Sequence, residues 1–219
     1  MQNTSKAILL AAALIAAAPA LAQSNRAGKS ELYLGPVFTD GDSYAFDGGT
    51  TVRTDTGVGL SLGYAFNFNS HFSAGIDFAW SEMDYRATVQ SVDGATASRS
   101  ISGTIETSTI RFNGTYHFST SEFTPFVTGG LGWTYVDTNI PSGLPESFCW
   151  YYPWYGSYCG SYVPTAATTR FSYNAGVGVR LDVGRGFFRG LVNQQWVNFG
   201  DSYGSQAATQ YRIDFGTKF

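Results

Sequence analysis

Beyond residues 7–18, the chain has no apolar run approaching the roughly 20 residues that a membrane-spanning helix needs, which excludes a helical bundle in the bilayer. Charge is scarce. Asp, Glu, Lys and Arg together make up 13% of the 219 residues, and the net charge of -3 provides no basic surface for a nucleic acid partner. Only two histidines, His71 and His117, are present, and no Gly-x-Ser-x-Gly elbow accompanies them, so the usual hydrolase signatures are missing. Only two cysteines, Cys149 and Cys159, are present. In contrast, aromatic residues reach 16% and glycine occurs 26 times. The mean hydropathy is -0.09, the value of a chain half apolar and half polar rather than of one buried in lipid on every side. The length suits one domain.

The N-terminus reads as an export signal. Lys6 supplies the positive start, residues 7–18 the uncharged apolar run, and Pro19-Ala20-Leu21-Ala22 a small-x-small cleavage site. Cleavage is expected after Ala22, which divides the chain into a signal (1–22) and a mature domain (23–219). The competing reading, an N-terminal anchor, suffers from the shortness of the run. In an exported chain, Cys149 and Cys159 are expected to form a disulfide rather than to hold a metal. No cofactor site is indicated.

The last nine residues set the architecture. Tyr211, Ile213, Phe215, Thr217 and Phe219 alternate with Arg212, Asp214, Gly216 and Lys218. A strand sends successive side chains to opposite faces, so one face here is apolar and the other charged. The chain closes on Phe219 with nothing after it to cover the ring, and a lipid-facing apolar face accounts for that. The same period of two recurs upstream. Val58, Leu60, Leu62, Tyr64 and Phe66 alternate with Gly57, Gly59, Ser61, Gly63 and Ala65. In the clearest case, Phe171, Tyr173, Ala175, Val177, Val179, Leu181 and Val183 alternate with Arg170, Ser172, Asn174, Gly176, Gly178, Arg180 and Asp182.

Eight such strands are expected, near 31–38, 56–66, 71–80, 108–118, 123–135, 170–183, 187–199 and 211–219. Each is close to the about 9–11 residues with which a tilted strand crosses a bilayer. Pro36, which lacks a ladder donor, belongs near a strand end, a bulge or an irregular pairing. Strand seven is blurred: Arg189 and Asn193 favour an inward odd face that Leu191 and Val197 share, which leaves a bulge or another register open. The connections alternate long and short, with long ones at 39–55, 81–106, 139–168 and 200–208. An all-β, antiparallel, up-and-down transmembrane barrel has this asymmetry, with short periplasmic turns, long external loops and both termini in the periplasm. A soluble barrel would have to pack most of the large aromatics inside eight strands, more volume than they enclose.

The signal, the staves, the segment Pro125-Phe126-Val127-Thr128-Gly129-Gly130-Leu131-Gly132-Trp133 and the terminal strand together resemble the small outer membrane barrels of Gram-negative bacteria. This is the group of the OmpA transmembrane domain, OmpX and the opacity proteins, often called porin-family barrels. The resemblance spans the mature chain and rests on loose patterns that speak to architecture more than to function. It implies a bacterial outer membrane location among lipids and lipopolysaccharide. It also implies insertion by the barrel-assembly machinery with periplasmic chaperones, for which Tyr211, Phe215 and Phe219 match the terminal aromatic signal. Small barrels that modify lipid A keep a histidine site at the outer-leaflet end. His71 and His117 map beside the periplasmic turns instead, so the chain is not expected to be an enzyme.

Two constellations remain. Inside the barrel Arg111, Arg180, Arg212 and Lys218 face Glu31, Asp77, Asp182 and Asp214; Arg111 is expected beside Asp77, and Glu31 beside Lys218 at the seam. Buried charges need partners, so these residues form either a packed ionic plug or the lining of a narrow polar conduit for small solutes. Outside, Cys149 and Cys159 bracket Trp150, Tyr151, Tyr152, Trp154, Tyr155 and Tyr158 with no charge between them. These rings are either a self-packed cap or girdle, or a recognition surface for an extracellular ligand or host surface, since aromatics are enriched at such surfaces and stack on sugar faces. The expected role is structural or surface interaction through long loops, with a narrow channel as the alternative.

Overall fold

The computed structural model describes residues 26–45, 51–89, 99–141, 146–154, 156–162, 165–200 and 205–219. The expected export signal and its cleavage site lie outside them. Twelve strands occur among the described residues: β1 (Ser30–Thr39), β2 (Ser43–Ala45), β3 (Thr51–Thr54), β4 (Gly57–Asn67), β5 (Phe72–Val89), β6 (Arg99–His117), β7 (Phe123–Pro141), β8 (Glu146–Tyr152), β9 (Gly156–Tyr162), β10 (Thr165–Val183), β11 (Gly186–Asn198) and β12 (Ser205–Lys218).

Eight of them close into an antiparallel ring, in the order β4, β5, β6, β7, β10, β11, β12, β1 and back to β4. The seam is β1 on β12, from Glu31 opposite Lys218 to Thr39 opposite Gln210. Phe219 finishes it by exchanging both backbone hydrogen bonds with Ser30, each 3.0 Å. Pro36 lies in the middle of β1, where the seam ladder skips Gly35 and Pro36 while keeping its register, so the missing N–H falls in an irregular pairing. Strand seven of the sequence, β11, needs no bulge. Its ladders with β10 and β12 run unbroken, and Phe187, Arg189, Leu191, Asn193 and Gln195 all point inward and are buried.

The burial is that of a barrel with lipid for a solvent. In β4 the pattern alternates without a fault: Leu60 is 61% exposed while Ser61, its neighbour, is 3% exposed. Large apolar side chains cover the outside and polar ones fill the inside, the inverse of a water-soluble core. Rings gather in two belts on that outer face. Near the chain termini these include Phe66, Phe68, Phe72, Tyr116, Phe118 and Phe215; at the other end are Trp133 against Phe171, and Tyr173 stacked on Trp196 at 5.2 Å. Tyr and Trp favour bilayer interfaces, and Tyr116 lies in the first belt and Trp133, Tyr173 and Trp196 in the second.

The ring is uneven in height. β5, β6, β7 and β10 are 18, 19, 19 and 19 residues long and stand side by side. β1, β4, β11 and β12 are 10, 11, 13 and 14 residues long and complete the circle. The Ser/Thr-rich segment expected as a loop at 81–106 is therefore a continuation of the β5–β6 ladder as far as Val89 opposite Arg99, and β3 adds to its edge through Thr51–Thr54. The third long connection carries its own hairpin, β8–β9, separate from the ring.

Candidate functional site

Two regions hold the predicted residues, the lumen and the β8–β9 hairpin. The barrel has a terminal end, with Arg26, Phe219 and the tight turns, and a ribbon end, with the long connections.

At the terminal end, Arg180 of β10 reaches across the lumen to Glu31 of β1 in a two-pronged pair of 2.7 and 2.9 Å, and its Nε and Nη2 also donate to Asp182 at 3.1 and 2.9 Å. Two planar N–H groups matched to two carboxylate oxygens fix orientation as well as charge. Glu31 and Lys218 do face each other in the seam ladder, but their side chains part: Lys218 Nζ bonds Asp182 at 2.8 Å, leaving Glu31 to Arg180 and to Asn67 Nδ2 at 2.8 Å. Opposed positions on neighbouring strands share a face, but long side chains in a narrow lumen choose partners across it. Phe187 lies under the Arg180 guanidinium at 4.0 Å, and it fits because the inward position beside its ring is Gly216, where a Cβ would collide with it.

In the middle tier, Asp77 and Arg111 are register partners on β5 and β6 and bond at 2.8 Å, as counting from the turns predicted. Asp77 also accepts from Arg212 at 3.1 Å and Asn113 at 2.8 Å. Asp214 takes Arg189 at 2.8 Å, Arg212 at 3.3 Å and Ser61 Oγ at 3.1 Å. Arg111 spans the full width of the ring to Gln210 of β12 at 2.9 Å. Above this, Gln195 bonds Thr134 at 2.8 Å, and Thr134 bonds both Thr109 and Ser172 at 3.0 Å. Every charged member of the two lower tiers is at most 9% exposed. Arg170 shares the inward parity of Arg180 but is exposed, because β10 has by then risen past the filled part of the lumen.

The lumen also holds charges that were not counted among the expected pairs. Arg189 stacks on Tyr33 at 3.9 Å and lies opposite Asp214 in the ladder; the signal was the register across the Gly184–Arg185 turn, masked by the apolar Leu191 on the same face. Tyr33 has room because the neighbouring inward position is Gly63. Arg26 gave no signal at all. It lies ahead of β1, in a stretch read as a polar leader, yet it is fully buried, donating to the Ser119 carbonyl at 2.6 Å and lying 3.7 Å from Asp182. It closes the terminal end from outside the strand set. His117 is also buried there, and His71 Nδ1 is occupied by the His117 carbonyl at 2.8 Å.

At the ribbon end Cys149 and Cys159 are register partners in β8–β9 and form a disulfide. Gly156 turns the hairpin at φ +81°, a left-handed backbone that glycine adopts without penalty. Tyr151 and Trp154 are 67% and 89% exposed. Trp150, Tyr152 and Tyr158 occupy strand positions, with Trp150 opposite Tyr158 and Tyr152 opposite Gly156, while Tyr155 lies outside the described residues. On the barrel's outer face Tyr211, Phe215 and Phe219 are all exposed, with Phe215 edge-on to Phe188 at 5.3 Å. Among the described residues, no group of three or more His, Cys, Asp or Glu side chains is placed to hold a metal ion.

Comparison with known proteins agrees with this architecture. A family model described as outer membrane protein beta-barrel domain matches residues 8–219. Among solved structures, OprG from Pseudomonas aeruginosa superposes with a TM-score of 0.53 at 15% identity, covering 90% of this chain and 98% of that one. Ail, the attachment invasion locus protein of Yersinia pestis, gives 0.49 at 11% identity over 88% and 99% of the two chains. Neisserial surface protein A gives 0.49 at 11% identity over 87% and 97%. No match was found among curated proteins.

Proposed function

The chain belongs to the outer membrane protein β-barrel domain family and is a barrel of the bacterial outer membrane; from that premise we propose that it is a non-catalytic surface-interaction protein whose working part is the cysteine-clamped hairpin. Residues 1–22 act as the cleaved export signal and 23–219 as the mature barrel, with both termini in the periplasm and the ribbon outside the cell. Tyr211, Phe215 and Phe219 serve as the aromatic signal for the assembly machinery.

The observation that carries the reading is the exposure of Tyr151 and Trp154 on a hairpin that is braced by its own disulfide and pairs with no strand of the ring. Exposed Tyr and Trp rings offer large contact area with few rotatable bonds, which is what makes such residues anchors at interfaces. With Trp150, Tyr152, Tyr155 and Tyr158 nearby in sequence and no charge between the cysteines, the partner chemistry is the apolar face of a sugar or an uncharged protein surface. The lumen argues against the channel alternative. Its bonds cross from Arg180 to Glu31, from Arg111 to Gln210 and from Arg26 to the Ser119 carbonyl, so side chains rather than solvent occupy the axis.

The test is adhesion of whole cells, or of protein in vesicles, to a glycan array and to host extracellular matrix, comparing the wild type with a Trp150→Ser, Trp154→Ser, Tyr155→Ser triple variant. Lost binding with an unchanged heat-dependent gel shift is expected; unchanged binding sinks the hairpin. Recording the same protein in a planar bilayer separates the alternative, because reproducible conductance steps would make it a channel.

A further inference from the structure

The middle of the lumen contains a small, partly open chamber of about 20 Å³, walled by Tyr33, Asp77, Asn174, Arg189, Asn193 and Arg212 among others. Ten buried side-chain atoms of the described residues have no hydrogen-bond partner, and four of them belong to these walls: Arg189 Nε, Arg212 Nε, Asn193 Nδ2 and Asn174 Oδ1. Three are N–H donors, and two of those belong to guanidiniums. Polar groups buried this deeply are normally satisfied, and the presence of several orphan donors on residues that wall one chamber points to a ligand that accepts.

The charges of the tier point the same way. Arg111, Arg189 and Arg212 face Asp77 and Asp214, so the ion pairs of this level leave one positive charge over. A buried charge without a counter-charge is costly, and a neutral water would satisfy the donors without balancing it. Size sets the limit from the other side. About 20 Å³ holds roughly one water-sized species, because a site needs only about 10–15 Å³ of such space for one water. A monatomic anion fits that space better than sulfate or phosphate.

We propose that this chamber is a structural halide site, in which a single chloride accepts from Arg189 Nε, Arg212 Nε and Asn193 Nδ2 and neutralises the middle tier. Asn174 Oδ1, an acceptor, takes no part in holding the ion. The site is independent of whatever the hairpin binds.

To test it, the mature protein is refolded from urea in chloride, bromide or gluconate at one ionic strength. The thermal midpoint of the gel-shift transition is expected to be higher in either halide than in gluconate. Crystals grown in bromide should give an anomalous peak within hydrogen-bonding distance of the two guanidiniums. Asn193→Asp replaces a donor to the halide by a carboxylate beside it, which repels the ion and balances the extra positive charge, so the folded variant should lose both the bromide peak and the salt preference. Equal midpoints in all three salts, or density in the chamber without anomalous signal, would identify a water only and overturn the proposal. So would a bromide peak that persists in Asn193→Asp. If that variant does not fold, the wild-type salt series and bromide map decide alone.

Discussion

The filled lumen and the ribbon above it are made from the same strands, yet they obey opposite rules. Below, a residue on β6 such as Arg111 is 1% exposed and bonded on several sides; above, Ile101 on the same strand is 46% exposed. Below, alternation separates lipid from lumen, and one inward charge in the wrong place would be ruinous. Above, most positions of β6 are exposed or half-buried and β5 keeps only Tyr85 covered among the described residues, so Ser and Thr serve on either side and the apolar period fades. A single β-strand can thus pass from a region where each side chain is constrained to one where few are, and stability should concentrate in the first.

That contrast can be broken from the lumen side first. Arg180→Ala leaves Glu31 and Asp182 short of their main partner, and loss of one member of a buried pair costs about 3–5 kcal/mol; urea unfolding in lipid vesicles should show it as the largest loss of the set. Arg26→Ala should cost less, on the order of 1–3 kcal/mol, because Asp182 keeps Arg180 and Lys218 while only the Ser119 carbonyl and a few neighbours lose a donor. Next, Cys149→Ser with Cys159→Ser should remove roughly 2–3 kcal/mol of local closure from the hairpin. Protease should then cut between the two positions while the unfolding midpoint of the barrel stays where it was. Replacing residues 85–103 by an Asn-Gly turn should leave the heat-dependent gel shift intact, and a barrel that fails to form would show that the ribbon contributes to folding after all. Smallest of all, Trp154→Ser should move stability by less than about 0.5 kcal/mol. Its whole effect should fall on surface binding.

The same contrast explains what could be read in the residues. β4 and β10 were legible because lipid and lumen impose opposite demands on neighbouring positions. Asp77 with Arg111 could be paired because short turns fix the register from the terminal end. The upper halves of β5 and β6 read as loop, since a ladder that no longer faces lipid carries no run of alternating apolar residues. Leu191 obscured the inward face of β11, although a lumen that also holds Phe126, Tyr33 and Phe187 accepts an aliphatic side chain. Arg26 lay beyond any strand argument: its burial depends on the turn at Ser119, more than ninety residues away along the chain. In the third connection the cysteines announced a closed ring, but the mixture of Tyr, Ser and Gly gave no alternation from which to read β8 and β9.

The unequal strand heights give the molecule a front and a back. A neighbour drifting in the plane of the membrane meets a high parapet when it approaches β6 and a low sill when it approaches β1. Encounters at equal distance are therefore unequal in outcome, and spinning about the membrane normal, which changes nothing for a level cylinder, here decides which side is presented. In a crowded membrane such a shape is a compass needle: anything that grips the parapet also sets the bearing of the sill, and with it the direction in which the closing seam faces.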